Sequence, residues 1–134
     1  MIIPLRDSMK KKLVIAIFEN DPLNRFIYQK MIHPHLDKAS FYIFNSPEEG
    51  LEMANEVNFD IAFIDMHLKG ECFGGISLSK QLKSVSDDTK LVAMTTLIQY
   101  GDREHAESNG FMKCLEKPLP FFDFDKLLEG IIYN

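Results

Sequence analysis

The 134-residue chain is short of basic residues, of cysteine and of long apolar runs. Its 15 lysines and arginines stand against 20 acids, a formal charge of −5, so the basic footprint that a nucleic-acid surface demands is missing. A basic protein partner is still compatible with that charge. The two cysteines, Cys72 and Cys114, are far apart, form no CxxC and have no histidine at ligand spacing. They read as reduced thiols of a cytoplasmic protein. No apolar run reaches the length of a membrane span. Lys10, Lys11 and Lys12 precede apolar residues as in a signal peptide, but that run stops at Phe18, before Glu19, Asn20 and Asp21. Linkers, repeats and low-complexity tracts are also missing. The expectation is one domain over residues 11–134, with residues 1–10 as an N-terminal extension.

What is present is the material of a soluble globular domain: 46% hydrophobic and 26% charged residues, in a chain long enough to bury a real core. Five short apolar runs recur, at residues 13–18, 41–44, 61–64, 91–94 and 112–115. Most are solid rather than alternating, as in strands covered on both faces. Lys113 interrupts the fifth, which makes it the weakest. Helical segments lie between them. Asp21-Pro22 reads as an N-cap and first-turn pair, followed by an apolar face of Leu23, Phe26, Ile27 and Met31 that Pro34 ends. Ser46-Pro47-Glu48-Glu49 reads as a capping box ahead of Leu51 and Ala54. Ile76, Leu78, Leu82 and Val85 mark a third helix after Gly75. A polar segment over residues 99–109 closes at Gly110. Pro120 opens a last helix with a broad apolar face from Phe121 to Ile132. Strand and helix thus alternate five times, which means a parallel sheet with helices on both faces.

In such a sheet ligands bind beyond the carboxyl ends of the strands. Strand one delivers Glu19, Asn20 and Asp21 there, strand three Asp65, strand four Thr95 and Thr96, and strand five Glu116 and Lys117. Strand two offers only Asn45 and Ser46. Acids, a hydroxyl and a lysine suit a hard cation and a phosphoryl group: oxygen ligands for Mg²⁺, a point charge for a phosphoryl oxygen. Each residue alone is an ordinary solvated turn residue. The coincidence at four strand ends is what carries the reading.

From Leu13 onward the chain resembles the bacterial response-regulator receiver domain. FENDPLNR is similar to that family's acidic turn, FDIAFIDMHLKGECFGGISL to its phosphoacceptor strand and loop, KLVAMTT to its fourth strand, and GFMKCLEKPLP to its fifth strand with the Lys-Pro bond. The resemblance implies a doubly wound (βα)5, flavodoxin-like α/β fold with strand order 2-1-3-4-5. It also implies Asp65 as phosphoacceptor, Thr95 and Lys117 as partners of the phosphoryl group, and a cis Lys117-Pro118 bond. Mg²⁺ (or Mn²⁺) would be held by Asp65, Glu19, Asn20 and the backbone carbonyl of His67. The implied partners are a sensor histidine kinase or phosphotransfer protein, a downstream protein target and a second copy in a homodimer, with no DNA-binding element or membrane involved. The implied activity is that of a single-domain signalling phosphoacceptor, limited to self-phosphorylation from small donors and autodephosphorylation.

Three positions depart from the family pattern. Asn20 stands where a second acid is usual; a unit charge roughly 4 Å from a divalent ion is worth about 8 kcal/mol of gross Coulomb energy at an effective dielectric near ~20. Lower desolvation and nearby Asp21 are expected to return much of it. Cys114 replaces an aromatic lever, and Thr96 a small apolar residue, so any switch is expected to run through the loop over residues 96–101. Asn20 and Cys114 together support an alternative, a degenerate receiver that binds partners without phosphorylation. A phosphatase of the haloacid dehalogenase type would need a second aspartate where His67 stands.

Overall fold

A computed structural model describes residues 12–68 and 74–132. Five strands, β1 (Leu13–Phe18), β2 (Ala39–Phe44), β3 (Ile61–Asp65), β4 (Lys90–Thr95) and β5 (Lys113–Glu116), form one sheet in the order β2-β1-β3-β4-β5. Every pairing is parallel. The connecting helices are α1 (Pro22–Ile32), α2 (Pro47–Ala54), α3 (Gly74–Val85), α4 (Asp102–Ser108) and α5 (Phe124–Ile132). The α/β architecture and the strand order match the sequence expectation. The readings of residues 1–10 as an extension and of Cys72 as a reduced thiol lie outside the described residues.

Strand alternation sorts the core into two layers. Ala16, Phe18, Ala62, Ile64, Leu91 and Ala93 face a cluster completed by α2, α3 and α4. Ile15, Ile17, Ile61, Phe63, Val92 and Met94 face a cluster completed by Tyr28 and Ile32 of α1 and by Phe121, Phe124, Leu127 and Ile131 at α5. Both faces of the central strands are therefore dry, which is why their sequences run solid. Lys113 is tolerated because β5 is an edge strand, and its amine lies over Gly130 of α5.

Helix starts follow the expected chemistry. Asp21 Oδ1 accepts the Leu23 N–H at 3.3 Å and Pro22 occupies the first turn. Ser46 Oγ accepts the Glu49 N–H at 3.4 Å. The expected apolar face of α1 is a correction: Leu23 and Phe26 are 63% and 55% exposed, and the buried stripe is Tyr28 and Ile32, four residues apart. α1 is rotated so that its polar-tipped tyrosine, not its phenylalanine, meets the sheet. Val85 likewise ends outside the core. The polar fourth segment starts later than expected, after Gly101 at φ 88°, and ends before Gly110 at φ 96°. Ahead of α5, Pro120 opens a short 3-10 turn, Phe121–Asp123, before the α-helix proper.

Gly75 is where α3 meets the end of β3. A Cβ there would lie 2.7 Å from the Asp65 carbonyl oxygen, 3.0 Å from Met66 Cα and 3.1 Å from Ile64 Cγ2. Two of those obstacles are main chain held in the β3–β4 ladder and cannot swing aside. Gly75→Ala is expected to destabilise the fold by about 1–3 kcal/mol, seen as a lower urea midpoint with an unchanged slope.

Candidate functional site

Register explains why the chemistry gathers. Phe18 pairs with Ile64, so Glu19 comes level with Asp65, and Asp65 pairs with Met94, one residue before Thr95. Thr95 in turn pairs with Glu116, one residue before Lys117. Asp65, Thr95 and Glu116 are the last residues of their strands rather than loop residues, because the ladder continues past them: the Met66 N–H donates to the Met94 carbonyl at 2.9 Å and the Lys117 N–H to the Thr95 carbonyl at 2.8 Å. The Lys117-Pro118 peptide is cis.

At the centre the Lys117 ammonium lies 2.8 Å from Glu19 Oε1 and 2.9 Å from Asp65 Oδ2. Glu19 is 0% and Asp65 5% exposed, so the triad is dry. Burial, reinforced by the charge of Asp65, pushes the Glu19 carboxyl above its ordinary range against the opposing pull of Lys117. Burial pulls Lys117 down, but its contacts with Glu19 and Asp65 outweigh it and raise its pKa. Glu19 Oε2 accepts the Asp21 N–H at 3.3 Å and Asp65 Oδ1 accepts the His67 N–H at 3.0 Å. Arg25 Nη1 donates to the Glu19 carbonyl at 3.1 Å from the first turns of α1.

The donor set fits a divalent cation. Two buried carboxylates share one ammonium, which leaves a net negative charge, and their outer oxygens each accept a single backbone N–H with a lone pair to spare. Among the described residues no three His, Cys, Asp or Glu side chains cluster as a metal cage. Mg²⁺ takes one or two carboxylates and keeps its waters, and two buried carboxylates stand here. Asn20 is half-buried beside them. Asp21 is exposed, and one oxygen of its carboxylate caps α1.

Thr95 is buried at the rim, next to a cavity of about 420 Å³ lined by His67, Thr96, Leu97, Asp102, His105 and Cys114. The space is open where the small Cys114 side chain stands. Burial, with the Asp102 charge adding, pushes the Cys114 thiol up and away from reactivity. The loop over this cavity is pinned by two carboxylates: the Ile98 N–H donates to Glu116 Oε1 at 2.9 Å and the Gln99 N–H to Asp102 Oδ2 at 2.7 Å. Sequence reasoning had no sight of these pins, nor of Arg25 or Tyr28, whose roles depend on which way a helix turns. Nearby, the Tyr100 and Phe122 side chains are exposed, whereas Phe121 is core.

Residues 15–131 match the family model described as the response regulator receiver domain. The chain belongs to that family. The receiver is 29% identical over 119 residues to two-component response regulator ARR22 of Arabidopsis thaliana, covering 84% of this chain and 79% of that relative. It superposes on a Saccharomyces cerevisiae structure of the phosphotransfer protein Ypd1 with the receiver domain of Ssk1, with TM-score 0.71, 21% identity and coverage of 90% and 86%. It also superposes on the receiver domain of sensor histidine kinase PA1611 from Pseudomonas aeruginosa PAO1, which holds magnesium in its active-site cleft, with TM-score 0.73, 18% identity and coverage of 92% and 100%. Those two likenesses establish the fold. No helix of the described residues is long and apolar enough to cross a membrane.

The triad sets a pH test. Because the folded pKa of Glu19 is raised above 4.5, protonating it favours the fold, and that contribution fades as pH rises through the folded value. Removing the ammonium with Lys117→Met leaves two buried carboxylates unpaired and is expected to cost about 3–5 kcal/mol at pH 7. Denaturant titrations from pH 7 toward 4.5 should show that deficit shrinking as Glu19 takes up a proton.

Proposed function

We propose that this receiver accepts a phosphoryl group on Asp65 from a phosphohistidine of a histidine kinase or phosphotransfer protein, and passes the signal on through a changed protein-binding surface. The observation that carries the reading is the Lys117 ammonium held between Glu19 and Asp65 at the mouth of the sheet. One Asp65 oxygen forms the O–P bond as the P–N bond of the donor imidazole breaks, and the nitrogen keeps the electron pair. Lys117 fixes the carboxylate for that attack and then faces the charge carried outward on the phosphoryl oxygens. Thr95 is placed to donate its hydroxyl to the same group. Glu19, Asn20, Asp65 and the His67 carbonyl are the oxygen donors that would hold Mg²⁺ or Mn²⁺. The metal, when bound, supplies electrostatic stabilisation of the transferring phosphoryl group.

A protein donor has to cover this mouth. The exposed apolar side chains around it, Leu23 and Phe26 on α1 and Leu97 beyond β4, offer it contact area. On the receiving side, the pinned loop over residues 96–101 is the element adjoining Thr95, and it replaces the aromatic lever that Cys114 cannot provide.

Incubation with acetyl phosphate and Mg²⁺ should add one phosphoryl mass, and Asp65→Asn should abolish it; a protein that stays unmodified would favour the phosphorylation-independent binding module that Asn20 suggests. Asn20→Asp should bind Mg²⁺ more tightly, by about tenfold or more, since a carboxylate replaces an amide at a dry site. Equal affinities in a Mg²⁺ titration would rule out Asn20 as the weak point.

A further inference from the structure

Two of the three buried side-chain polar atoms that lack a hydrogen-bond partner among the described residues belong to one neighbourhood: Glu19 Oε1 and the Tyr28 hydroxyl. Glu19 Oε1 has the Lys117 ammonium against it as an ion pair. The Tyr28 hydroxyl has no acceptor for its proton. Tyr28 is 1% exposed and its ring meets Phe121 edge-on at 5.3 Å. A phenol buried that deeply ordinarily finds a partner, and phenylalanine would fill the same space without the orphan.

Its place in the fold explains the hydroxyl. Glu19 and Asp65 continue the rows Ile15–Ile17 and Ile61–Phe63, which face α1 and α5, so Tyr28 lies in the layer beneath the triad. One turn earlier on the same helix, Arg25 already reaches the Glu19 carbonyl. Phe121, on which the tyrosine ring rests, follows Lys117 by four residues. Burial raises the pKa of the phenol, and the charges of Glu19 and then Asp65 raise it further, so both carboxylates act on it. The Leu119 N–H acts on the oxygen in the opposite sense, and it leaves the hydroxyl's own proton without an acceptor.

We infer that Tyr28 is a positioning residue for phosphoryl transfer: its hydroxyl donates to Glu19 when the Lys117 ammonium moves to the incoming phosphoryl group. The inference rests on Asp65 as the phosphoacceptor. At rest Lys117 serves both carboxylates. Once an Asp65 oxygen is bonded to phosphorus, the negative charge sits on the phosphoryl oxygens and the ammonium follows it. Glu19 Oε1, wholly buried, then loses its ion-pair partner, while Oε2 keeps the Asp21 N–H and its place toward the cation. A neutral donor satisfies Oε1 without adding a second cation to compete for the phosphoryl group. The hydroxyl keeps its proton throughout, so the step is a change of partners with no bond made or broken.

The test is Tyr28→Phe, read in two ways. Thermal unfolding of the unphosphorylated protein should give a Tm equal to or above wild type, because the substitution removes an orphaned polar atom. The initial rate of phosphoryl-mass accumulation from acetyl phosphate and Mg²⁺ should fall by about tenfold or more, the worth of one hydrogen bond to a charged group. In a Glu19→Gln background the same substitution should cost no further rate. A wild-type rate in Tyr28→Phe overturns the inference, and so does a joint fall of Tm and rate, which would mark Tyr28 as structural only. If wild type itself gains no phosphoryl mass, the reading of Asp65 falls and takes the inference with it. That outcome is distinct from a phosphorylated wild type matched by Tyr28→Phe.

Discussion

One ammonium shared by two buried carboxylates organises this molecule. Lys117 lies within 3 Å of both Glu19 and Asp65, and the three come from the ends of different strands. Taking two carboxylates out of water is costly, and a single cation does not fully offset it. The raised pKa of Glu19 is the trace of that debt. The fold tolerates it because the surrounding strands are dry on both faces and rigid. The site is thereby kept short of positive charge, which is the condition for drawing in a divalent cation.

The sheet does more than carry these residues. Strand alternation puts Glu19 and Asp65 in rows that face α1 and α5, whereas Thr95 and Cys114 belong to rows that face α4. The two sets meet only at the carboxyl edge, where Thr95 stands one ladder step beyond Asp65. Charge and its compensation are therefore handled on one face, and the cavity and pinned loop lie on the other. Thr95 is the member of the second set that stands nearest Asp65 along the ladder.

The sequence carried the strand-end residues in plain view, because solid apolar runs ending in Glu19, Asp65 and Thr95 declare both a parallel sheet and its working edge. Helix facing was not legible. Leu23, Phe26, Ile27 and Met31 make a plausible apolar stripe, yet α1 buries Tyr28 and Ile32 instead. Single-sequence periodicity weighs phenylalanine above tyrosine and has no means of knowing that the wall under Glu19 calls for a polar tip. Asp21 was legible as the N-cap that Pro22 announces, and one of its oxygens takes the Leu23 N–H. The Glu116 pin was invisible because that carboxylate meets the Ile98 N–H only once β4 and β5 are side by side, whereas the Asp102 pin is a local contact with Gln99, three residues away.

Cys114 gains its meaning from that last arrangement. A large side chain at this position would occupy the space beside Thr95; the cysteine leaves about 420 Å³ there, under a loop whose amides are tied to Glu116 and Asp102. Both ties run to acceptors on elements flanking the loop, Glu116 at the end of β5 and Asp102 at the start of α4. Glu116 is also the register partner of Thr95 and precedes Lys117, so the residue that holds the loop and the residue that pairs the carboxylates are neighbours at one strand end. The loop tie and the charge triad are thus joined through the backbone of β5. With a small thiol at Cys114, that backbone connection, and no bulky side chain, links the two sides of the cavity.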